Sequence, residues 1–392
     1  MKEGWSYKKL GEVCEIYNGN SINADYKKKF FSGRSDGYPF IATKDISITG
    51  VVDYDNGVRI PNYEDYKIAP PNSVFVCAEG GSAGKKCAFI SQNVCFGNKL
   101  FCLVPKDNAV EAKFVYYFVQ SDVFKDSFHS LLSGLIGGVS SKKFQTIQFH
   151  YPSLSEQHSI VSRLDTAFSH IDALKANAEK QLNEARKLFQ AELTECMKPK
   201  EGWEEKKIGD VFQTYAGGTP LKSGKGYYEG GTIPWIRSGE VCQMYIRDCE
   251  MCITEEGMKN SSAKYYPVDT ILVAMYGATA AQVGILKFEA TSNQAVCGIL
   301  PHKDFIPEYI YYWFTNIQKD LAAQAQGGAQ PNLSQVKIKK VSISYPSRTI
   351  QHSIVSHLDS LSSTIRKLEE LQQKTLAECD ALKQAMLREV FE

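Results

Sequence analysis

Read for its apolar and polar positions, the chain alternates between two textures. In the first, short runs rich in β-branched and aromatic residues are separated by Gly, Pro and Asn turns. SVFVCA (73–78), KLFCLVP (99–105), TILVAMYG (270–277) and KKVSISYP (339–346) are examples, and they predict strands. An aromatic stretch of helical spacing falls near 112–128 and again near 307–323, so these regions read as α+β. The second texture is uninterrupted helix. Ile160, Leu164, Phe168, Ile171, Leu174, Ala178, Leu182, Ala185, Leu188 and Leu193 recur at steps of three to five. Ile354, Leu358, Leu361, Ile365, Leu368, Leu371, Leu376, Cys379, Leu382 and Met386 do the same later in the chain. Both sets predict an apolar stripe of coiled-coil type, with Lys, Glu, Gln and Asn on the other face. Neither stretch contains Gly or Pro. Pro152 and Pro346 close the preceding strands, and Ser153 with Glu156 predicts a capping box. Ile350 takes the Glu position in the second copy, which predicts a weaker cap.

The two textures recur because the chain is written twice. YPSLSEQHSIVSRLD (151–165) returns as YPSRTIQHSIVSHLD (345–359), with eleven of fifteen positions identical and an offset of 194 residues. EGWSYKKLGEVCEIYNG (3–19) aligns with EGWEEKKIGDVFQTYAG (201–217), keeping Trp5/Trp203, Gly11/Gly209 and Tyr17/Tyr215. KFVYYFV (113–119) answers EYIYYWF (308–314), and LFQAEL (188–193) answers LKQAML (382–387). A tandem duplication of one unit near 195 residues, without a third copy, accounts for the pattern and excludes a solenoid. The boundaries it implies are a mixed domain at 1–152, a helical spacer at 153–198, a second mixed domain at 199–346 and a second spacer at 347–392.

A helix of this length would extend roughly 60 Å, and it cannot stand in water with an exposed apolar stripe. Its duplicate is the nearest partner. Antiparallel pairing would relate the two halves by a pseudo-two-fold axis, which is also the local symmetry of duplex DNA. Proteins of two-fold symmetry read paired half-sites at a spacing set by their own geometry. Halves alike in plan but different in residues would read two different half-sites around an unread gap set by helix length.

Composition narrows the options modestly. The 392 residues, 43% hydrophobic and 23% charged, are those of a globular protein of more than one domain. No run of eighteen apolar residues occurs and MKEGWSYKKLGEV has no apolar core, so we expect neither a membrane span nor secretion by the usual route, and a cytoplasmic protein. Eleven scattered cysteines fit reduced thiols; Cys249 and Cys252 form a CxxC without a second pair at zinc-ligand spacing. A net charge of +1 means that any DNA site is a local patch rather than a global field.

No catalytic constellation emerges. GGSAGKK (80–86) has Glu79 where a Walker A loop needs its first Gly, and Lys86 in place of Ser/Thr. The only Pro-Pro, in IAPPNSV (68–74), lacks the flanks of an amino-methyltransferase motif. Glu204-Glu205-Lys206 has the letters of a nuclease pair but follows Trp203 at a domain boundary, where solvated surface is the simpler reading. His158 and His352 occupy equivalent positions at the helix starts, which packing or a polar contact explains better than catalysis.

Order, spacing and motifs together make the chain resemble the specificity subunit of type I restriction-modification enzymes, over essentially its whole length. YAGGTPLKSGKGYYEGGTIPWIRSGEV (215–241) resembles the family's G-x-T-P turn followed by a G-I-P-W-like strand. MYGATAAQVGIL (275–286) and ATSNQAVCGILP (290–301) resemble its Y-G-x-T and N-Q segments, and QGGAQPNLSQVKIKKVSISYPS (326–347) resembles the G-x-x-Q-x-N-L-S run into the helix. The first half departs: GNSINADY, AEGGSAGKKC and SGLIGGVSSKKF stand at those places, while GYPFIATKDI (37–46) and FGNKLFCLVP (96–105) keep the outline.

The resemblance implies an α+β fold of two tandem target recognition domains alternating with two long helices paired as an antiparallel coiled coil. It implies a non-catalytic subunit bound to double-stranded DNA, two modification (methyltransferase) subunits and restriction/translocase subunits. S-adenosylmethionine, ATP and Mg would belong to those partners, with no cofactor in this chain. A coiled-coil protein-interaction scaffold is the competing reading, separated by salt-dependent, sequence-selective DNA binding.

Lys and Arg suit phosphates and guanine edges, Asn and Gln suit adenine, and Tyr adds stacking. The DNA-binding candidates are therefore Lys27, Lys28, Lys29, Arg34, Lys44, Lys85, Lys86, Lys142 and Lys143 in the first domain. In the second they are Lys222, Lys225, Tyr227, Arg237, Ser238, Tyr276, Thr279, Gln282 and Lys337. Ordinary solvated surface competes with this reading at each single position. Asn98, Asn293, Gln294, Gln330 and Asn332 read as turn and buried hydrogen-bonding residues that shape the domain.

Overall fold

The computed structural model describes residues 4–133, 137–224, 226–325 and 332–392. The chain divides into two compact units, one of residues 1–178 with 373–392 and the other of residues 179–372. Each long helix contributes to both units.

In the first unit, an antiparallel sheet runs in the order Cys14–Asn18, Leu100–Pro105, Ser73–Cys77 and Cys87–Ile90. A smaller sheet runs Arg59–Ile60, Tyr38–Ile41, Val94–Phe96 and Ile68–Ala69, with its middle pair parallel. The strand Ser6–Lys9 pairs with Gln148–Tyr151 and ties the start of the domain to the chain just before the helix. Every residue of Ser73–Cys77 is buried, as the unbroken apolar run predicts for a strand covered on both faces. Phe114, Phe118, Phe124, Phe128, Phe144 and Phe149 fill the core beneath the sheet.

The second unit repeats the plan. Its main sheet runs Thr214–Ala216, Val296–Ile299, Ile271–Ala274, Val283–Leu286 and Tyr245–Ile246. Cys252–Ile253, Ile233–Ile236 and Thr291–Ser292 form the smaller sheet, and Glu204–Lys207 pairs with Ser342–Tyr345. The aromatic stretches each form two helices rather than one: Ala112–Phe118 and Asp122–Ser130, then Pro307–Asn316 and Gln318–Ala325. Ser121 breaks the first pair, because its hydroxyl caps Phe124 N–H at 3.3 Å.

The long helices span Leu154–Met197 and Arg348–Phe391. Ser153 Oγ accepts Glu156 N–H at 3.4 Å. Within the first unit the helices pair antiparallel, with Arg163 against Glu389, Asp172 against Lys383 and Lys175 against Asp380. The same direction holds in the second unit, where Arg186 meets Glu369 and Glu192 meets His357. These exposed ion pairs add little stability; the apolar seam carries it. Ile160, Leu164, Phe168, Ile171, Cys379, Leu387 and Phe391 are buried in the first unit, and Leu193, Met197, Val355 and Leu358 in the second.

The seam corrects the predicted stripe. Leu174, Leu188, Leu371 and Leu382 point to solvent. Lys175, Phe189 and Lys383 stand in the seam beside three of them, Lys383 with its Nζ 4.9 Å from the Phe168 ring centre. The aliphatic stems of Lys175 and Lys383 cover apolar surface while each ammonium reaches a carboxylate across the pair.

The duplicated stretch also joins each helix to its own domain. Gln157, fully buried, accepts Glu111 N–H at 2.9 Å and donates to the carbonyls of Ala109 and Pro152, both at 2.9 Å. Gln351 repeats this with Ile306 N–H at 3.0 Å and the carbonyls of Asp304 and Pro346 at 3.1 and 3.0 Å. Two turns further on, Tyr117 donates to Asp165 at 2.5 Å and Tyr312 to Asp359 at 2.6 Å. Burial and the neighbouring carboxylate push both phenols well above their ordinary range. Among the described residues no helix is long and apolar enough to cross a membrane.

Candidate nucleic-acid interface

In the second unit the smaller sheet builds a cleft of about 530 Å³, lined by Thr219, Lys222, Tyr228, Trp235, Arg237, Met251, Asn293 and Gln294. Its geometry follows from one parallel pairing. Trp235 stands opposite Thr291 and Ile236 opposite Ser292, and Asn293 N–H donates to Ile236 O at 3.0 Å. That register carries Arg237 out of one strand beside Asn293 and Gln294 leaving the other. The Gly217-Gly218-Thr219-Pro220 turn closes the cleft. Gly217 N–H donates to Val296 O at 3.0 Å and Gly218 N–H to Ser292 O at 2.9 Å. A Cβ on Gly218 would lie 2.1 Å from the backbone nitrogen of Ala263, so no side chain fits there. Trp235 Nε1 donates to Gly218 O at 2.9 Å, and the Thr219 hydroxyl donates to the side-chain oxygen Oε1 of Gln294.

Arg237 is held by acidic neighbours. Its N–H and its Nε both donate to Glu240 Oε1, at 2.9 and 3.4 Å, and its guanidinium pairs with Glu250. Glu240 Oε2 in turn accepts Glu250 N–H at 2.9 Å. A guanidinium fixed by carboxylates at the mouth of a cleft is oriented for a planar acceptor edge. Behind it, burial raises the Cys249 thiol, and the adjacent Cys252 acts in the same direction. All the cysteines are free thiols.

The remaining candidates in this unit fall on neighbouring loops. Ser238 begins the single turn Ser238–Glu240, half-buried. Tyr276, Thr279 and Gln282 share the loop between Ile271–Ala274 and Val283–Leu286. That loop adjoins the cleft segment, since Met275 N–H donates to Ala295 O at 2.7 Å. Tyr276 is exposed, while among the described residues no hydrogen bond reaches Gln282 Oε1. Lys337 donates to the carbonyls of Gln324 and Asn332 at 2.9 and 3.3 Å. Tyr227 is half-buried, with its carbonyl accepting Thr254 N–H at 2.9 Å. Lys225 and Gln330 lie outside the described residues.

The first unit places different side chains on the same frame. Phe40 and Ile41 pair in parallel with Cys95 and Phe96, and Gly97 N–H donates to Ile41 O at 2.9 Å. Ala42 therefore takes the place of Arg237, and its N–H bonds Asp45 at 2.9 Å as Arg237 N–H bonds Glu240. Asn98 replaces Gln294. Lys86 replaces Gln282, because both carbonyls accept the same inner-strand N–H, from Cys77 and Ala274. Lys86 donates its ammonium to Thr43 O at 3.0 Å, which ties the 78–86 loop to the turn holding the exposed Lys44. Lys85 is exposed beside it. A strand, Cys87–Ile90, follows GGSAGKK where a phosphate loop would open a helix.

The other basic candidates of this unit are spread out. Lys27 covers the Phe40 ring at 4.8 Å and Lys29 lies 5.1 Å over Phe30, while Lys28 is exposed. Arg34 is chelated by Asp36 at 2.9 and 2.8 Å. Lys142 and Lys143 are exposed on Ser141–Phe144, capped by Ser140 as the short helix Gln335–Lys339, which holds Lys337, is capped by Ser334.

The family model described as the type I restriction modification DNA specificity domain matches residues 2–184 and again 200–377. The chain belongs to this family. It is 29% identical over 274 residues to the EcoR124I/EcoR124II specificity subunit of Escherichia coli, covering 67% of this chain and 66% of that one. It is 33% identical over 193 residues to the MjaIX specificity subunit of Methanocaldococcus jannaschii, covering 47% and 44%. The chain thus spans less than two thirds of the length of these two relatives. The EcoBI specificity subunit of Escherichia coli aligns over 100% of this chain and 86% of its own length at 22% identity. Among solved structures, a chain from work on complex assembly and conformational transition of the type I R-M system shares the fold with a TM-score of 0.80 at 17% identity, covering 100% and 98%. The HsdS subunit from Thermoanaerobacter tengcongensis gives 0.59 at 18% identity, covering 99% and 97%.

In this specificity-domain family member, the sequence did not single out Thr219, Tyr228, Trp235 and Met251 as cleft residues, and Gln294, read as a turn or buried hydrogen-bonding residue, lines the cleft. Asn293 does shape the turn, its Oδ1 accepting Ala295 N–H at 3.1 Å. The Gly-Gly pair ahead of Thr219 was the available signal for a close backbone approach, but its partner strand is over seventy residues away.

Proposed function

We propose that this chain is the DNA-recognition subunit of a type I restriction-modification complex, with each recognition domain reading one half of an asymmetric bipartite site. The carrying observation is one frame holding two residue sets: Arg237, Gln294 and Gln282 in one unit stand where Ala42, Asn98 and Lys86 stand in the other. A shared frame keeps the approach to the groove alike, and different side chains read different base edges. In this reading the domains are 1–152 and 199–346, and the spacers 153–198 and 347–392 fix the gap and dock two modification subunits. Restriction/translocase subunits join them. S-adenosylmethionine, ATP and Mg act in those partners, in the cytoplasm, and this chain performs no catalysis.

The test is single-molecule sequencing of host DNA for methylated adenines, with the gene intact and deleted, in a host expressing the partner subunits. A split, asymmetric motif that disappears on deletion is expected. Methylation unchanged by deletion would overturn the reading. Arg237→Ala should relax one half of the motif only; relaxation of both halves would refute the assignment of one domain to each half.

A further inference from the structure

Away from the recognition loops, the second unit brings together three side chains that the proposed function does not use. Glu192 and Cys196 lie four residues apart on the first long helix, so they share a face. His357 of the second long helix meets them: its Nε2 lies 2.9 Å from Glu192 Oε1, which is itself 3.8 Å from Cys196 Sγ. The three donor atoms lie within 4.8 Å of one another, the one such His/Cys/Asp/Glu trio found among the described residues. We propose that Glu192, Cys196 and His357 form a zinc-class metal site that staples the two long helices within the second unit.

Three features carry this. Donors around a tetrahedral zinc stand about 3.3–3.6 Å apart, given metal–ligand distances of about 2.0–2.3 Å. The observed separations bracket that value, so side-chain rotations alone would close the site. The donor set is also selective: a thiolate with an imidazole favours zinc over the hard, oxygen-seeking calcium and magnesium. Three protein donors leave a fourth position for water, and the site lies at the rim of the apolar seam, beside buried Leu193, Met197, Val355 and Leu358.

The third feature is asymmetry. The repeat places Met386, Val390 and Arg163 at the corresponding positions of the first unit, and that set offers no thiolate, imidazole or carboxylate donor for a zinc-class ion. The exchange of Arg163 for His357 is one of only four differences within the fifteen-residue repeat. Helix pairing in the first unit proceeds without a donor cluster, so pairing does not require these three side chains.

The test uses the full chain, stripped of metal with a chelator. Zinc is titrated by calorimetry and cobalt(II) by absorption, with folding followed by circular dichroism. One equivalent of each metal should bind, and cobalt should produce the near-ultraviolet thiolate charge-transfer band. Cys196→Ser should abolish the band, and His357→Gln should weaken binding about tenfold or more. Cys242→Ser, at an exposed thiol elsewhere in the chain, should leave both unchanged. Absence of the band, its survival in Cys196→Ser, or its loss in Cys242→Ser would each overturn the proposal, because the thiolate would then be absent or lie elsewhere.

Discussion

Replacing Gln157 by Ala tests the claim that the duplicated stretch is kept for its junctions. The side chain is fully buried and makes three hydrogen bonds to main chain, at Glu111 N–H, Ala109 O and Pro152 O. A buried group stripped of its partner costs about 1–3 kcal/mol. The bond to Pro152 O is the fully buried one and takes the upper part of that range. The other two are part-buried, where water can enter and hold the cost near 1 kcal/mol each. The expected loss is therefore about 3–5 kcal/mol, a large share of an ordinary domain's stability. Since 1.4 kcal/mol is a factor of ten, native-state hydrogen exchange in Ser73–Cys77 and Leu100–Pro105 should accelerate about a hundredfold to several thousandfold. His158→Ala, at the next and equally repeated position but exposed, should change exchange by less than about threefold. Gln351→Ala should do to Ile271–Ala274 and Val296–Ile299 what Gln157→Ala does to their counterparts. An acceleration below about fivefold in Gln157→Ala would refute the argument, because the stripped main-chain groups would then be finding other partners.

Glu111 supplies a test with a definite pH sign. Burial raises its carboxyl above the ordinary 4.5, against a smaller opposing pull from His158. The folded chain then binds that proton more tightly than the unfolded chain, so this residue's contribution to stability falls as pH rises through and above 4.5. Glu111→Gln should make the first unit more stable than the parent at neutral pH, with the difference vanishing below about pH 4; urea denaturation at both pH values decides it. Gly218→Ala should cost about 1–3 kcal/mol, since its methyl group meets main chain rather than a flexible side chain. Gly239→Ala, with open space around it, should be near neutral; thermal denaturation compares the two.

Much of the organisation was legible because it is local or repetitive. Apolar runs bounded by turn residues located the strands from 73, 99 and 270, and the long helices declared themselves by the absence of Gly and Pro. The duplication was visible in letters alone, and with it the expectation that each helix finds an antiparallel partner. Which residues of the helix face inward was less legible. Adjacent helical positions differ by only about 100°, so a stripe stepping by three to five does not choose between Leu174 and Lys175 or between Leu188 and Phe189. The choice rests on the opposite helix, where Asp380 gives the Lys175 ammonium a partner while its stem is covered.

The binding candidates divide along the same line. Residue chemistry alone nominated Arg237 and Lys222, and the structure sets both in one cleft. The same rule nominated Lys27 and Lys86, whose ammonium groups lie over Phe40 and on Thr43 O. Composition names donors, and only packing says which are already in use, Arg237 itself being paired with Glu240 and Glu250 at the mouth of the cleft. The sequence by itself determined the duplication, the element types and the family, because these are written in periodicity and repeated motifs. Tertiary structure alone decided the cleft around Trp235 and the trio Glu192, Cys196 and His357, because each needs segments far apart in the chain to meet. A parallel strand register makes the first and an antiparallel helix pair the second, and local sequence names neither partner segment.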